Sequence, residues 1–274
     1  MTHYKFPVPI AKKDFAHIKM MLEEKSPFVY VRFSDGETEI IRNYYLEIRE
    51  HKIIWSGGIV NHGYPAFDRK TFNPITDQEF RADLLKSAVE NGKNYFKGIP
   101  ATHNRALRDR NLMIRLNGGL SPSLTFSDLF LNGNFRAYRN QIVPLFDRFA
   151  NVAVIGNYRM QPNLYKNTWQ HIEIPDDFFV TYSDVKKTVW QTIQELPHGS
   201  LVLSSASSLS NVMGCLTYFD RPDITYIDIG TSLHDLMGIQ TGIRAYHIEL
   251  EKWTLSNCLR KLWYKRAKEY FLKW

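Results

Sequence analysis

Cysteine is nearly missing from this chain. Cys215 and Cys258 are the two present in 274 residues, too few for a disulfide framework, and their settings suit ordinary buried or peripheral thiols. The opening MTHYKFPVPIAKKDF lacks the uninterrupted apolar core of a secretory signal. No apolar run approaches the length that spans a bilayer. Neither G-x-G-x-x-G nor G-x-x-x-x-G-K-[ST] occurs, so a dinucleotide fingerprint and a P-loop are both unsupported. No RNA- or DNA-binding motif appears, and no nucleic-acid partner is expected. These absences together predict a soluble, cytoplasmic protein whose chemistry is carried by less familiar patterns.

What is present suits an enzyme. Hydrophobic residues make up 44% of the chain, enough to bury a sizeable core. Aromatics reach 14%, which favours a well-packed enzyme or a sugar-contacting surface over a disordered chain. A net charge of +7 favours anionic partners such as nucleotides, phosphates or a lipid surface, although the basic residues are spread along the chain.

Taken in order, the pattern begins with a helix around Phe15, Ile18, Met21 and Leu22, stopped by Ser26-Pro27. The run from Phe28 then reads as a buried strand, broken at Ser34-Asp35-Gly36. Thr38 to Arg49 is compatible with a helix, and Trp55 to Asn73 reads as a long loop carrying His62, expected to be a surface residue. Thr76 to Glu79 has the form of a capping box before Phe80, Leu84 and Ala88. Tyr95 to Ile99 reads as the next strand. The arginines of the 101–117 stretch suit either phosphate recognition or, as favoured here, a solvated helix face. Further on, VAVIG (152–156), HIEIP (171–175), SLVLSS (200–205) and ITYIDIG (224–230) read as strands, with helices after Ser183 and from Leu209. Strands alternating with helices predict an α/β fold: one Rossmann-like domain over residues 1–274, its mainly parallel sheet flanked by helices.

Two places could hold a ligand. Asp35 and Glu37 flank Gly36 just past the first strand; in extended backbone, residues two apart project to one side. Two acids at a strand's carboxyl end suit a hard divalent cation that shares its shell with phosphate oxygens, and Gly36 would admit a ligand close to the backbone. Asp-Gly is equally a common turn, and a solvated Glu beside it needs no function. The second place is the serine-rich stretch after the 200–205 strand, where Ser204, Ser205 and Ser207 stand before a helix that could receive a phosphate or ribose. Simple helix capping by Ser207 or Ser208 is the favoured reading of any single serine, and the set together makes the ligand-site candidate.

The segment VRFSDGE resembles the R-F-G-D-G-E of the GT-D-type glycosyltransferases, once known only as a domain of unknown function. The later YIDIGTSLHDLMGIQTGIRAYH resembles that family's closing block. The resemblance runs from about Phe28 to about His247, with Ser34 in place of the usual glycine and a varied block at Thr231 to His234. It implies a single Rossmann-like domain that moves a sugar from a UDP- or GDP-linked donor to a glycan or other hydroxyl acceptor, assisted by Mn²⁺ or Mg²⁺ on Asp35 and Glu37. It places Arg32, Ser34, Gly36, Asp228, Gly230, Ser232, Asp235, Arg244 and Tyr246 on the substrate side, and His247 with Asp35 and Glu37 among catalytic residues. Candidate proton acceptors are His62, His103, Asp128 and His247, and Arg244 could stabilise phosphate charge. A metal-dependent phosphohydrolase acting on a nucleotide or sugar phosphate, and a non-catalytic basic membrane- or nucleic-acid-binding module, remain as alternatives. The basic aromatic helix expected over 251–274 could dock on the core or lie on an anionic membrane as a peripheral contact.

Overall fold

Strand periodicity decides how this chain packs. Along β1 (Val29–Arg32), Val29 and Val31 enter one hydrophobic cluster while Tyr30 enters another on the opposite side. On β8 (Val152–Asn157), Ala153 and Ile155 are divided from Val152 and Val154 in the same way. The division recurs on β10 (Leu201–Ser205), between Val202 and Leu203, and on β11 (Thr225–Asp228), between Tyr226 and Ile227. Strands that are apolar on both faces must be covered on both faces, which is the setting of a parallel sheet.

In the computed structural model, residues 10–55, 58–61, 67–100, 104–131 and 134–239 are described. His62, His103, Arg244, Tyr246, His247, Cys258 and the 251–274 tail lie outside them. With β6 (Tyr95–Ile99), β7 (Leu124–Phe126) and β9 (Gln170–Ile174), the main sheet has seven parallel strands in the order β7-β6-β1-β11-β10-β8-β9. One face is covered by α1 (Ile10–Glu24) and by a segment that runs α5 (Phe135–Ala137), a π turn (Tyr138–Ile142) and α6 (Val143–Phe146). The other is covered by α2 (Asp35–Ile41), α3 (Gln78–Val89), α4 (Asn104–Leu116), α7 (Tyr182–Glu195) and α8 (Leu209–Asp220). α8 sits close on β1 because Gly214 has no side chain: a Cβ there would stand 2.5 Å from Val31 Cγ1.

A second sheet departs from expectation. The predicted helix over Thr38 to Arg49 ends at Ile41 and gives way to β2 (Leu46–Arg49), and the predicted loop contains β3 (Lys52–Trp55), β4 (Gly58–Asn61) and β5 (Lys70–Phe72). They pair antiparallel in the order β4-β3-β2-β5. The β2–β3 turn uses Glu50 and His51, both at positive φ (48° and 63°), the geometry usually signalled by Asn-Gly. Without that dipeptide the hairpin is hidden in the sequence. Two capping expectations also change. α3 begins at Gln78 behind Asp77, and α7 begins at Tyr182, so Ser183 lies inside α7 and donates to Glu79 instead (2.7 Å).

One buried charge stands out. Lys97 on β6 is fully buried, and its Nζ donates to the Ala88 carbonyl (2.8 Å) near the end of α3. Burial pulls its amine from the ordinary 10.5 down to about 8, with the nearby Glu90 charge opposing the fall. Between those two values the unfolded chain holds a proton that the folded chain has released, so stability rises with pH across that window. Below about pH 8 both states hold it and the slope vanishes. The expected gain is about 3 kcal/mol from pH 8 to 10.5, at roughly 1.4 kcal/mol per pH unit. Urea denaturation at stepped pH should show it as a rise in wild-type stability relative to Lys97→Met, because the Cys215 thiol and the buried tyrosines, pushed up by burial, act in the opposite sense in both proteins above about pH 9.

Candidate functional site

The site begins where β1 turns into α2. Ser34 is the N-cap, and Glu37 Oε2 accepts from both the Ser34 backbone N–H (2.9 Å) and the Ser34 hydroxyl (3.0 Å), forming a capping box. The Asp35-Gly36-Glu37 stretch is therefore the first helical turn and not extended backbone. In a helix, residues two apart are about 200° around the axis. The two carboxylates do not share a side: Glu37 is buried against its cap, while Asp35 is half-exposed. Gly36 needs no special conformation, since a Cβ there would meet nothing closer than Leu46 Cδ2 at 3.5 Å. α2 is tied down at its far end, where Arg42 pairs with the buried Asp109 (2.7 Å) and Arg81 donates twice to the Ile41 carbonyl (3.2 and 3.0 Å).

At the carboxyl ends of the two central strands, Arg32 Nε of β1 stands 3.3 Å from Asp228 Oδ2 of β11. Asp228 Oδ1 accepts from Gly230 N–H (2.9 Å), Arg32 Nη1 donates to Ser127 O beyond β7 (3.4 Å), and Asn211 of α8 donates to the Arg32 carbonyl (2.8 Å). Gly230 is required here: its φ is +48°, and a Cβ would sit 2.0 Å from Arg32 Nη2. Burial pushes the Asp228 carboxyl up while Arg32 and the Gly230 N–H pull against it. Burial likewise raises Glu37 against the opposing Ser34 N–H. Burial works against the Arg32 charge too, but Asp228 and Glu37 more than offset it and the guanidinium stays charged. With Asp35 included, the ends of β1 and β11 carry three acids and one arginine.

The serine stretch is mostly turned inward. Ser204 and Ser210, both fully buried, share a hydroxyl–hydroxyl bond of 2.8 Å, and Ser210 Oγ also takes the Ala206 N–H (3.1 Å). Ser207 is exposed at φ +52°, and Ser205 is half-buried. Ser205 Oγ shares a 2.7 Å hydrogen bond with His234 Nε2, a residue absent from the sequence-derived candidates. The closing block is anchored from the π turn. Ser232, fully buried, donates its hydroxyl to Tyr138 Oη (2.9 Å), and Arg139 makes paired 3.0 Å bonds to the Asp235 carboxylate plus one to the Ser232 carbonyl (3.1 Å). Ser204 and Ser232 are thus spent on the protein itself, whereas Arg32, Asp35, Ser205, Asp228 and Gly230 share one edge. Asp128, half-buried just past β7, reaches the same edge beside Ser127. Among the described residues, no group of three or more His, Cys, Asp or Glu is placed to hold a metal. A separate groove of about 700 Å³ opens between β5, the start of α3 and the segment leading into α7, lined by Asn73, Asp77, Phe80, Asp177 and Tyr182; it contains none of the catalytic, substrate-binding or metal candidates read from the sequence.

The fold is an α/β architecture with its polar residues gathered at the carboxyl edge of a parallel sheet. No protein-family model and no curated protein sequence matches the chain. Solved structures do. A selenomethionine-substituted structure of domain of unknown function 1792 superposes with a TM-score of 0.53 at 12% identity, covering 84% of this chain and 83% of that one. Another, described as showing that domain 1792 "has a distinct glycosyltransferase fold", gives 0.51 at 12% identity over 84% and 83%. A third, described as a new glycosyltransferase (DUF1792) from Streptococcus sanguinis, gives 0.49 at 14% identity over 80% of each chain. The first two establish that this chain shares the fold of domain 1792.

The two glycines separate by experiment. Gly230→Ala should cost about 2 kcal/mol or more, by forcing a left-handed alanine and pushing Arg32 off Asp228. Gly36→Ala should stay within about 1 kcal/mol of wild type, because it sits in an ordinary helical turn. Chemical denaturation of both variants checks the contrast.

Proposed function

We propose that this protein is a glycosyltransferase that moves a sugar from a nucleotide-diphosphate donor, UDP- or GDP-linked, to a hydroxyl of a glycan acceptor. The observation that carries the reading is the gathering of Arg32, Asp35, Ser205 and Asp228 at the carboxyl ends of central parallel strands, the usual ligand position in such sheets. The fold likeness to a domain described as having a glycosyltransferase fold supports the same class.

Asp35 is the residue assigned to a divalent cation. Its half-exposed carboxylate on that edge fits the single-carboxylate mode used by Mg²⁺ or Mn²⁺ when phosphate oxygens and water complete the shell. Glu37 fits a lesser role, because its Oε2 is already held by Ser34; its first duty is to fix the turn that presents Asp35. A bound cation supplies charge neutralisation at the leaving diphosphate. Arg32, held by Asp228, places a fixed positive charge on that edge, and the exposed Ser207 is assigned to the donor side. Arg244 and Tyr246 are assigned to the substrate side, and His247 to catalysis, by resemblance alone. No helix among the described residues is long and apolar enough to cross a membrane. The 251–274 tail is proposed as a peripheral contact with a lipid surface.

The test is a panel of nucleotide sugars assayed for nucleoside diphosphate release with and without Mg²⁺ or Mn²⁺. Asp35→Asn should lower turnover by on the order of a hundredfold or more with an unchanged thermal midpoint. Normal turnover in that variant would remove Asp35 from the chemistry. Release of free phosphate from simple esters without any sugar acceptor would favour a phosphohydrolase instead.

A further inference from the structure

Among the described histidines, one stands at the carboxyl edge of the main sheet. His17 lies in α1 and His51 in the β2–β3 turn, while His171 and His198 lie at or before the amino ends of β9 and β10. His234 follows the Gly230 turn, and its Nε2 is 2.7 Å from Ser205 Oγ at the end of β10. Ser205 is adjacent to Ser204, which pairs in register with Asp228, and Ile229 N–H donates to the Ser204 carbonyl (2.8 Å). The hydroxyl–imidazole pair therefore sits one strand from the Arg32–Asp228 pair.

The backbone that carries the imidazole is tied down on both sides. Leu233 on one side is fully buried in the core, and Asp235 on the other is clamped by Arg139. The His234 carbonyl accepts from Met237 N–H (3.1 Å) and Ile239 N–H (3.0 Å). Nearby charges are already paired: Arg139 with Asp235, Arg32 with Asp228, and, on the segment that meets this turn through Gln161 N–H and Met237 O, Arg159 with Asp176. An imidazole with a hydroxyl bonded to its ring nitrogen has the geometry to take a proton through that hydroxyl.

We propose that Ser205 and His234 form the proton relay of the transfer, with Ser205 Oγ meeting the acceptor hydroxyl and His234 Nε2 taking the proton. This rests on the glycosyltransferase reading and adds the group that activates the acceptor. The acceptor oxygen forms a bond to the anomeric carbon as that carbon's bond to the diphosphate oxygen breaks, and the electron pair leaves with the nucleoside diphosphate. The acceptor proton passes to Ser205 Oγ, the Ser205 proton passes to His234 Nε2, and the imidazolium then releases it to solvent. Arg139 is the positioning residue, acting through Asp235 and the Ser232 carbonyl on the turn that carries His234.

The experiment uses the full chain and the donor that the wild type turns over, measuring kcat and KM from acid to alkaline pH. His234→Gln keeps a partner for Ser205 yet cannot accept a proton; it should lower kcat on the order of 10²- to 10⁴-fold, leave donor KM within threefold, and lose the acid limb of the kcat profile. Ser205→Ala should lose kcat in the same sense and Ser205→Thr should recover most of it, which guards against a folding artefact in any one variant. His234→Gln with near-normal kcat and an intact acid limb overturns the relay, as does loss of that limb in Asp128→Asn instead. A drop confined to donor KM also overturns it, by making the pair a binding element. A wild type that releases no nucleoside diphosphate from any donor overturns the transferase reading and the relay with it.

Discussion

The pairing of Arg32 with Asp228 is the contact on which the candidate site depends. A buried ion pair is a weak source of net stability, because both charges lose their water. Its value here is geometric. It fixes the ends of β1 and β11 against each other at the middle of the sheet, and it demands glycine at position 230, where the chain turns with positive φ beneath the guanidinium. Everything downstream hangs from that turn: Ser232 on Tyr138, Asp235 on Arg139, and His234 on Ser205. Removing either charge would leave the other buried and uncompensated, and that whole edge would have to rearrange.

The main sheet was legible because its strands are apolar on both faces. The runs at Val29, Val152, Leu201 and Thr225 could hardly be read otherwise, and each appears as a strand of the main sheet. The second sheet was hidden for physical reasons. Its hairpin turns on Glu50 and His51, residues that seldom take left-handed backbone, and its two inner strands carry charges and are only partly buried. The Ser34–Glu37 segment was readable but misread: S-x-x-E spells a capping box, yet Asp-Gly in its middle suggested a turn, and the helix start lies at Asp35 rather than at Thr38. The expected box at Thr76 to Glu79 has the right letters but does not form.

The site itself divides along the same line. Residues that sit at strand ends, such as Arg32, Asp228 and Ser205, follow from the strand pattern once the parallel order is known. Pairings between distant segments do not. Nothing local in the sequence signals that Ser205 meets His234, that Ser204 closes on Ser210, or that a π turn at Tyr138–Ile142 supplies the two side chains that anchor the closing block. The π turn is the kind of irregularity that helical periodicity cannot reveal, and such bulges often accompany function.

The neighbours at the centre of the main sheet, β1 and β11, come from opposite ends of the described chain. During synthesis the first of them emerges early and must wait for its partner while every intervening strand leaves the ribosome. Pairing across so long a loop carries a large closure entropy, so the nascent chain holds an unpaired hydrophobic edge until late. A ribosome that stalls before Asp228 therefore leaves a chain with much of its helical scaffold written and no seam to close it, a natural client for chaperones that shield exposed strands.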